Sequence, residues 1–146
     1  MIRKLIGQSM VDAHLIDQKQ LSDLLEYQNR LREKLPLGRI SLDMGLVLED
    51  DFAPFIASYF TVPYINLKEH PDAQKEALET IPEIIAKRFN VLPLTKEDDT
   101  LTIAVSDPLD LTTIENIEAV AHCRVKTVIS APSQIKNRIT LSYGIL

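Results

Sequence analysis

The chain has 146 residues, 45% of them hydrophobic, with 21 acidic residues against 16 basic ones and a formal net charge of -5 at pH 7. That length buries a real core in one domain or two small ones, and the acid excess argues against a nucleic-acid surface, which gathers Lys and Arg. A single cysteine, Cys123, excludes an internal disulfide and fits a reducing compartment; with no signal-peptide core and no apolar run long enough to span a bilayer, a cytoplasmic protein without direct membrane insertion is expected.

The first part of the chain is one helical unit written twice. LIGQSMVDAHLIDQKQLSDLLEYQ (5–28) is followed at an offset of 31 residues by PLGRISLDMGLVLEDDFAPFIASY (36–59). The apolar positions coincide, Ile6 on Leu37, Val11 on Leu42, Leu15 on Leu46, Ile16 on Val47, Leu21 on Phe52, Leu24 on Phe55 and Leu25 on Ile56, while the polar ones drift. Two stacked helix-turn-helix units that cover each other's apolar faces should look like this. In the first copy, residues 2–13 carry apolar side chains at helical spacing, His14 to Asp17 form the turn, and Asp17 caps a second helix over 18–32 with Gln20 as its capping-box partner. In the second copy Leu48 replaces Asp17, and Pro54, tolerated only in a first turn, places the helix start at Asp50 or Asp51.

Of four glycines, Gly7 and Gly38 share one repeat position. A recurring glycine marks close helix packing or a backbone surface that admits a flat ligand.

Beyond residue 60 the periodicity changes. VPYINL (62–67) reads as a short edge strand or an extended connector, limited by Pro63, and helices are expected over 72–80 and 82–89, with Asn90 as a stop. Strands over 91–95 and 101–107 flank a polar turn at 96–100 and form a hairpin. Asp110 caps a helix over 111–121, a third strand covers 124–130, and Pro132 opens a last helix over 133–143 that Gly144 ends. The predicted class is α+β: an N-terminal tandem helix-turn-helix repeat subdomain (1–60), then a small α/β sandwich (61–146) with helices on one face of a three-stranded sheet.

Catalytic chemistry is not legible, and no enzyme is expected. Gly38 and Gly45 are seven apart and no Gly-Lys pair occurs, so no GxxxxGK[ST] phosphate loop can be written. His14, His70 and His122 are scattered, and no metal-ligand spacing is present. Glu49-Asp50-Asp51 reads as helix N-terminal charge, Glu97-Asp98-Asp99 as a solvated turn and the basic piece from Arg30 to Arg39 as a linker face.

The tandem LIG/PLG units, IPEIIAKRFNVLPL, LTIAVSDPLDL and the closing SYG together resemble the N-terminal domain of type II secretion and type IV pilus assembly ATPases, over residues 2–144. The resemblance implies an adaptor, with the motor in a later domain, that docks onto a cytoplasmic region of an inner-membrane platform protein without a cofactor. In one branch of that family the tandem units bind cyclic di-GMP, each opening on Arg-Leu-Gly and ending in Gln. Carried over residue by residue, that alternative assigns the ligand to Gly7, Gln28, Leu37 and Gly38. The two arginine positions hold Leu5 and Pro36, His14 stands at the second glycine of the first unit, and Tyr59 stands at the glutamine of the second. Neither Leu nor Pro can grip a phosphate or stack on a base as Arg does, although Lys4, Lys34 and Arg39 lie close in sequence.

Overall fold

The computed structural model describes residues 5–145. The expected helix start at residue 2, and Lys4, lie outside the described residues. Among these, eight helices and three strands make an α+β fold.

The repeat unfolds as two helical pairs, α1 (Ile6–Asp12) with α2 (Gln18–Arg30) and α3 (Leu37–Asp43) with α4 (Glu49–Phe60). The copies match in backbone detail. Leu5 and Pro36, which precede the short helices, have φ/ψ of -61°/143° and -59°/143°. The turn bonds Ala13 N to Ser9 O, His14 N to Val11 O and Leu15 N to Met10 O recur as Met44 N to Ile40 O, Gly45 N to Leu42 O and Leu46 N to Ser41 O. At the corner itself His14 and Gly45 both adopt positive φ, 61° and 73°. The second glycine of the repeat is thus a left-handed backbone position, which His14 occupies at the strain a Cβ brings there.

Asp17 caps α2 as expected: its Oδ1 accepts from Gln20 N at 2.7 Å, and its own N donates to Gln20 Oε1 at 2.9 Å. The helix ends at Arg30, not Arg32, because Leu31 turns extended and packs against the repeat core. α4 begins at Glu49, one or two residues before the predicted start, because the Leu48 carbonyl already accepts from Asp51 N and Phe52 N. Pro54 consequently lies in the second turn and not the first.

In the second half, α5 (Lys75–Leu78) is much shorter than the expected helix over 72–80. Gln74 explains the late start: its N–H donates to Leu94 O at 2.9 Å and its side-chain oxygen accepts from Lys96 N at 3.0 Å, so the chain is held along a strand edge up to Gln74, which then caps α5 by accepting from Leu78 N at 3.0 Å. Pro82 precedes α6 (Glu83–Phe89), which Asn90 stops in the left-handed conformation. β1 (Leu92–Glu97) and β2 (Thr100–Val105) pair antiparallel across Asp98-Asp99, a tighter turn than predicted, with an irregularity between Pro93 and Thr95. After α7 (Leu111–Ala121), capped by Asp110, β3 (Arg124–Ile129) pairs parallel with β2 in the order β1-β2-β3. Residues 63–65 touch the end of β3, where Ile129 N donates to Pro63 O and Ile65 N to Ile129 O. α8 (Pro132–Gly144) closes the fold. Helices covering one face alone would leave strict alternation along β2. It holds at first, but Ile103, Ala104 and Val105 are all buried, so both faces are covered at that end.

Two apolar clusters result. Met10, Ile16, Leu21, Leu24, Leu37, Ile40 and Val47 fill the interior of the helical pairs. The larger cluster runs from Ala53, Ile56 and Ala57 of α4 through the sheet to Ile135 and Ile139 of α8, and Phe52 and Phe55 pack against both.

Candidate functional site

The four residues singled out in the sequence fall on the helical repeat. Seven residues give α1 and α3 fewer than two turns of helix each, too short to stand alone, so both are held by what packs on them. Their glycines make that contact intimate. A Cβ on Gly7 would lie 2.6 Å from Leu21 Cδ1 and 2.9 Å from Leu37 Cδ2; one on Gly38 would lie 2.3 Å from Phe52 Cζ. Leu21 and Phe52 are themselves repeat equivalents, so the same packing is built twice. Of the two readings of the glycines, close packing is what the geometry displays. The structure brings Leu37 directly onto Gly7, where α1, α2 and α3 converge. Gln28 lies at the far end of α2, where its Nε2 donates to Leu35 O at 2.8 Å and ties the interhelical linker down just before α3.

Leu5 and Pro36, at the positions of the family arginines, are exposed, and the nearby Arg39 is directed to Asp43, 3.8 Å away. The acids in the first turn of α4 sit where the helix dipole favours them, and Asp50 also accepts from Gln134 Nε2 at 3.0 Å. Among the described residues no group of three or more His, Cys, Asp or Glu side chains could hold a metal ion. His122 follows α7 as its left-handed capping residue, at the helix end before β3.

One polar assembly escaped the sequence reading. Gln134 and Arg138, one turn apart on α8, face inward: Gln134 Oε1 accepts from Leu67 N at 3.1 Å, while Arg138 donates to Leu67 O and, at 2.8 Å, to His70 O. Together they clamp the 66–72 segment to α8 and α8 to the first turn of α4. The only signal was a polar pair interleaved with Ile135 and Ile139. Nearby, Tyr143 is buried, donates to Ile81 O at 2.9 Å and has its pKa pushed up to about 12, by burial first and by the Glu83 charge second. These contacts join the 66–72 segment, α8 and the first turn of α4, and Tyr143 to Ile81 ahead of α6.

The MshEN domain profile matches residues 60–145. The type IV pilus assembly ATPase PilB of Myxococcus xanthus is 23% identical over 139 residues, and PilB of Thermus thermophilus is 29% identical over 119. These alignments take in 95% and 79% of the chain but 24% and 13% of the two relatives, so the chain spans about a quarter or less of their length. Among solved structures, MshE with cdg (cyclic di-GMP) superposes over 97% of this chain and all of that one, with a TM-score of 0.79 and 27% identity. The N-terminal domain of XpsE superposes over 95% of this chain and 96% of its own, with a TM-score of 0.73 and 19% identity, a likeness of fold.

Proposed function

The chain belongs to the MshEN-domain family, and from that premise we propose that it is a non-catalytic docking module of a type II secretion or type IV pilus assembly ATPase, gripping a cytoplasmic region of an inner-membrane platform protein. The observation that carries this reading is that both repeat glycines are closed by the chain's own side chains, Leu21 and Leu37 on Gly7 and Phe52 on Gly38, as suits units packed to serve as a scaffold. The exposed Leu5 and Pro36 at the arginine positions supply no cation for a dianionic ligand. No helix among the described residues is long and apolar enough to cross a membrane. Calorimetric titration of the platform protein's cytoplasmic region into the purified domain should give saturable binding, in a sample that hydrolyses no ATP. Hydrolysis by the domain, or absence of binding, defeats the reading.

A second reading is favoured by one observation, the superposition on MshE with cdg. In it, Gly7, Gln28, Leu37 and Gly38 receive cyclic di-GMP. Binding would raise the melting temperature in proportion to the logarithm of ligand over Kd, and Gln28→Ala would abolish the rise. An unshifted melting curve rules it out.

A further inference from the structure

The two copies of the repeat diverge at one turn in a direction that works against stability. Asp17 caps α2 with its carboxylate. The matched residue ahead of α4, Leu48, keeps the extended backbone of a capping residue (φ -83°, ψ 148°) but makes no side-chain cap bond, and the residue is 68% exposed. A helix so begun forgoes a stabilising bond and gains no burial in exchange. At the other end of the same turn Met44, 53% exposed, stands where the first copy has Ala13. The fold does not demand either residue, since exposure is the same class at every matched position from 11/42 to 17/48. Asp43 precedes Met44 in sequence, and Glu49 and Asp51 follow Leu48 in the first turn of α4; Asp43 has Arg39 at 3.8 Å, and neither Glu49 nor Asp51 has an ion pair among the described residues.

We infer that the turn joining α3 to α4 is the docking surface, with Met44 and Leu48 receiving an apolar side chain carried on a Lys/Arg-rich segment of the partner. This rests on the docking reading above and names the surface it uses. Charge selects the occupant: an acidic rim steers a basic segment inward and repels an anionic lipid surface, while Met adapts its shape to what it meets.

Titration of the platform protein's cytoplasmic region into the wild-type domain and into Leu48→Ser, Met44→Ser, Asp51→Lys and Leu109→Ser tests the inference. Leu48→Ser restores a capping side chain, so it should melt about 2–4 °C higher while binding about tenfold more weakly or worse. Met44→Ser and Asp51→Lys should also weaken binding, whereas Leu109→Ser, which removes an equally exposed leucine elsewhere (62%), should not. Wild-type binding that Leu48→Ser and Met44→Ser retain in full overturns the assigned surface and leaves the docking reading standing. No binding by the wild type removes the docking reading itself. Stronger binding by Asp51→Lys refutes a basic partner, and wild-type binding to anionic vesicles that Leu48→Ser loses transfers the surface to a membrane.

Discussion

Gly38→Ala measures the contact on which the twin repeat turns. The added Cβ would sit 2.3 Å from Phe52 Cζ and 2.9 Å from Cε2, against about 3.5–4.0 Å for carbons at rest, so the ring must retreat by more than an ångström. It has little room, because Phe52 packs against both apolar clusters and its ring centre lies 5.9 Å from that of Phe55. Overpacking of this kind costs about 1–3 kcal/mol, and the better helix propensity of alanine returns less than about 1, since residue 38 is in the first turn of α3. The net loss, about 1–2 kcal/mol, lowers the melting temperature by several degrees, read by circular dichroism or calorimetry. Adding Phe52→Leu removes the clashing edge, so the double variant should lose less than the two single changes combined. A Gly38→Ala protein as stable as the wild type, or strict additivity with Phe52→Leu, would refute the packing argument.

Three further outcomes follow from local geometry. Gly45→Ala should cost about 1 kcal/mol through backbone strain alone, since nothing lies within 4 Å of the added Cβ, whereas His14→Gly at the matched corner should cost nothing; equal losses in urea titrations would contradict the left-handed assignment. Asp17→Ala should lower stability by about 1 kcal/mol through loss of the capping box, and an unchanged denaturation midpoint would show that the cap is idle. Tyr143 has its pKa raised above the unfolded value of 10, so its contribution is whole below pH 10 and is lost as pH climbs towards 12. Tyr143→Phe should make that alkaline decline shallower, leaving the share of Tyr64, whose pKa is also raised by burial and by Asp50 and Glu69; a slope as steep as in the wild type would place the titration elsewhere.

What was legible in the sequence was what local chemistry decides. The repeat offset, the Asp17-Gln20 box, the Asn90 stop and the limits of α7 were all readable because a capping carboxylate or a recurring apolar frame acts within one turn of itself. The start of α4 was missed by a residue or two for a local reason, the bonds to the Leu48 carbonyl, whereas the larger differences fall where distant chain intervenes. Gln74 is recruited by Leu94 and Lys96 and shortens α5, and Leu94 lies at an irregularity that shifts the pairing of β1. The candidate site shows the same division. Gly7 and Gly38 stand out by their repeat position, but the groups that fill the space above them, Leu21, Leu37 and Phe52, are known only once the helices are stacked. Gln134 and Arg138 look like surface polar residues until the 66–72 segment crosses α8.

On the proposed reading, the twin helical pairs form a filled scaffold that holds a protein partner. Proton-nitrogen NMR of the labelled domain tests it in one series of spectra, because Gly7 and Gly38 report from the two copies separately. The account predicts that adding the platform protein's cytoplasmic region moves amide signals of residues 43–51 while cyclic di-GMP leaves Gly7 and Gly38 where they were. Saturable movement of both glycines with cyclic di-GMP, and none of residues 43–51 with the protein, would contradict it.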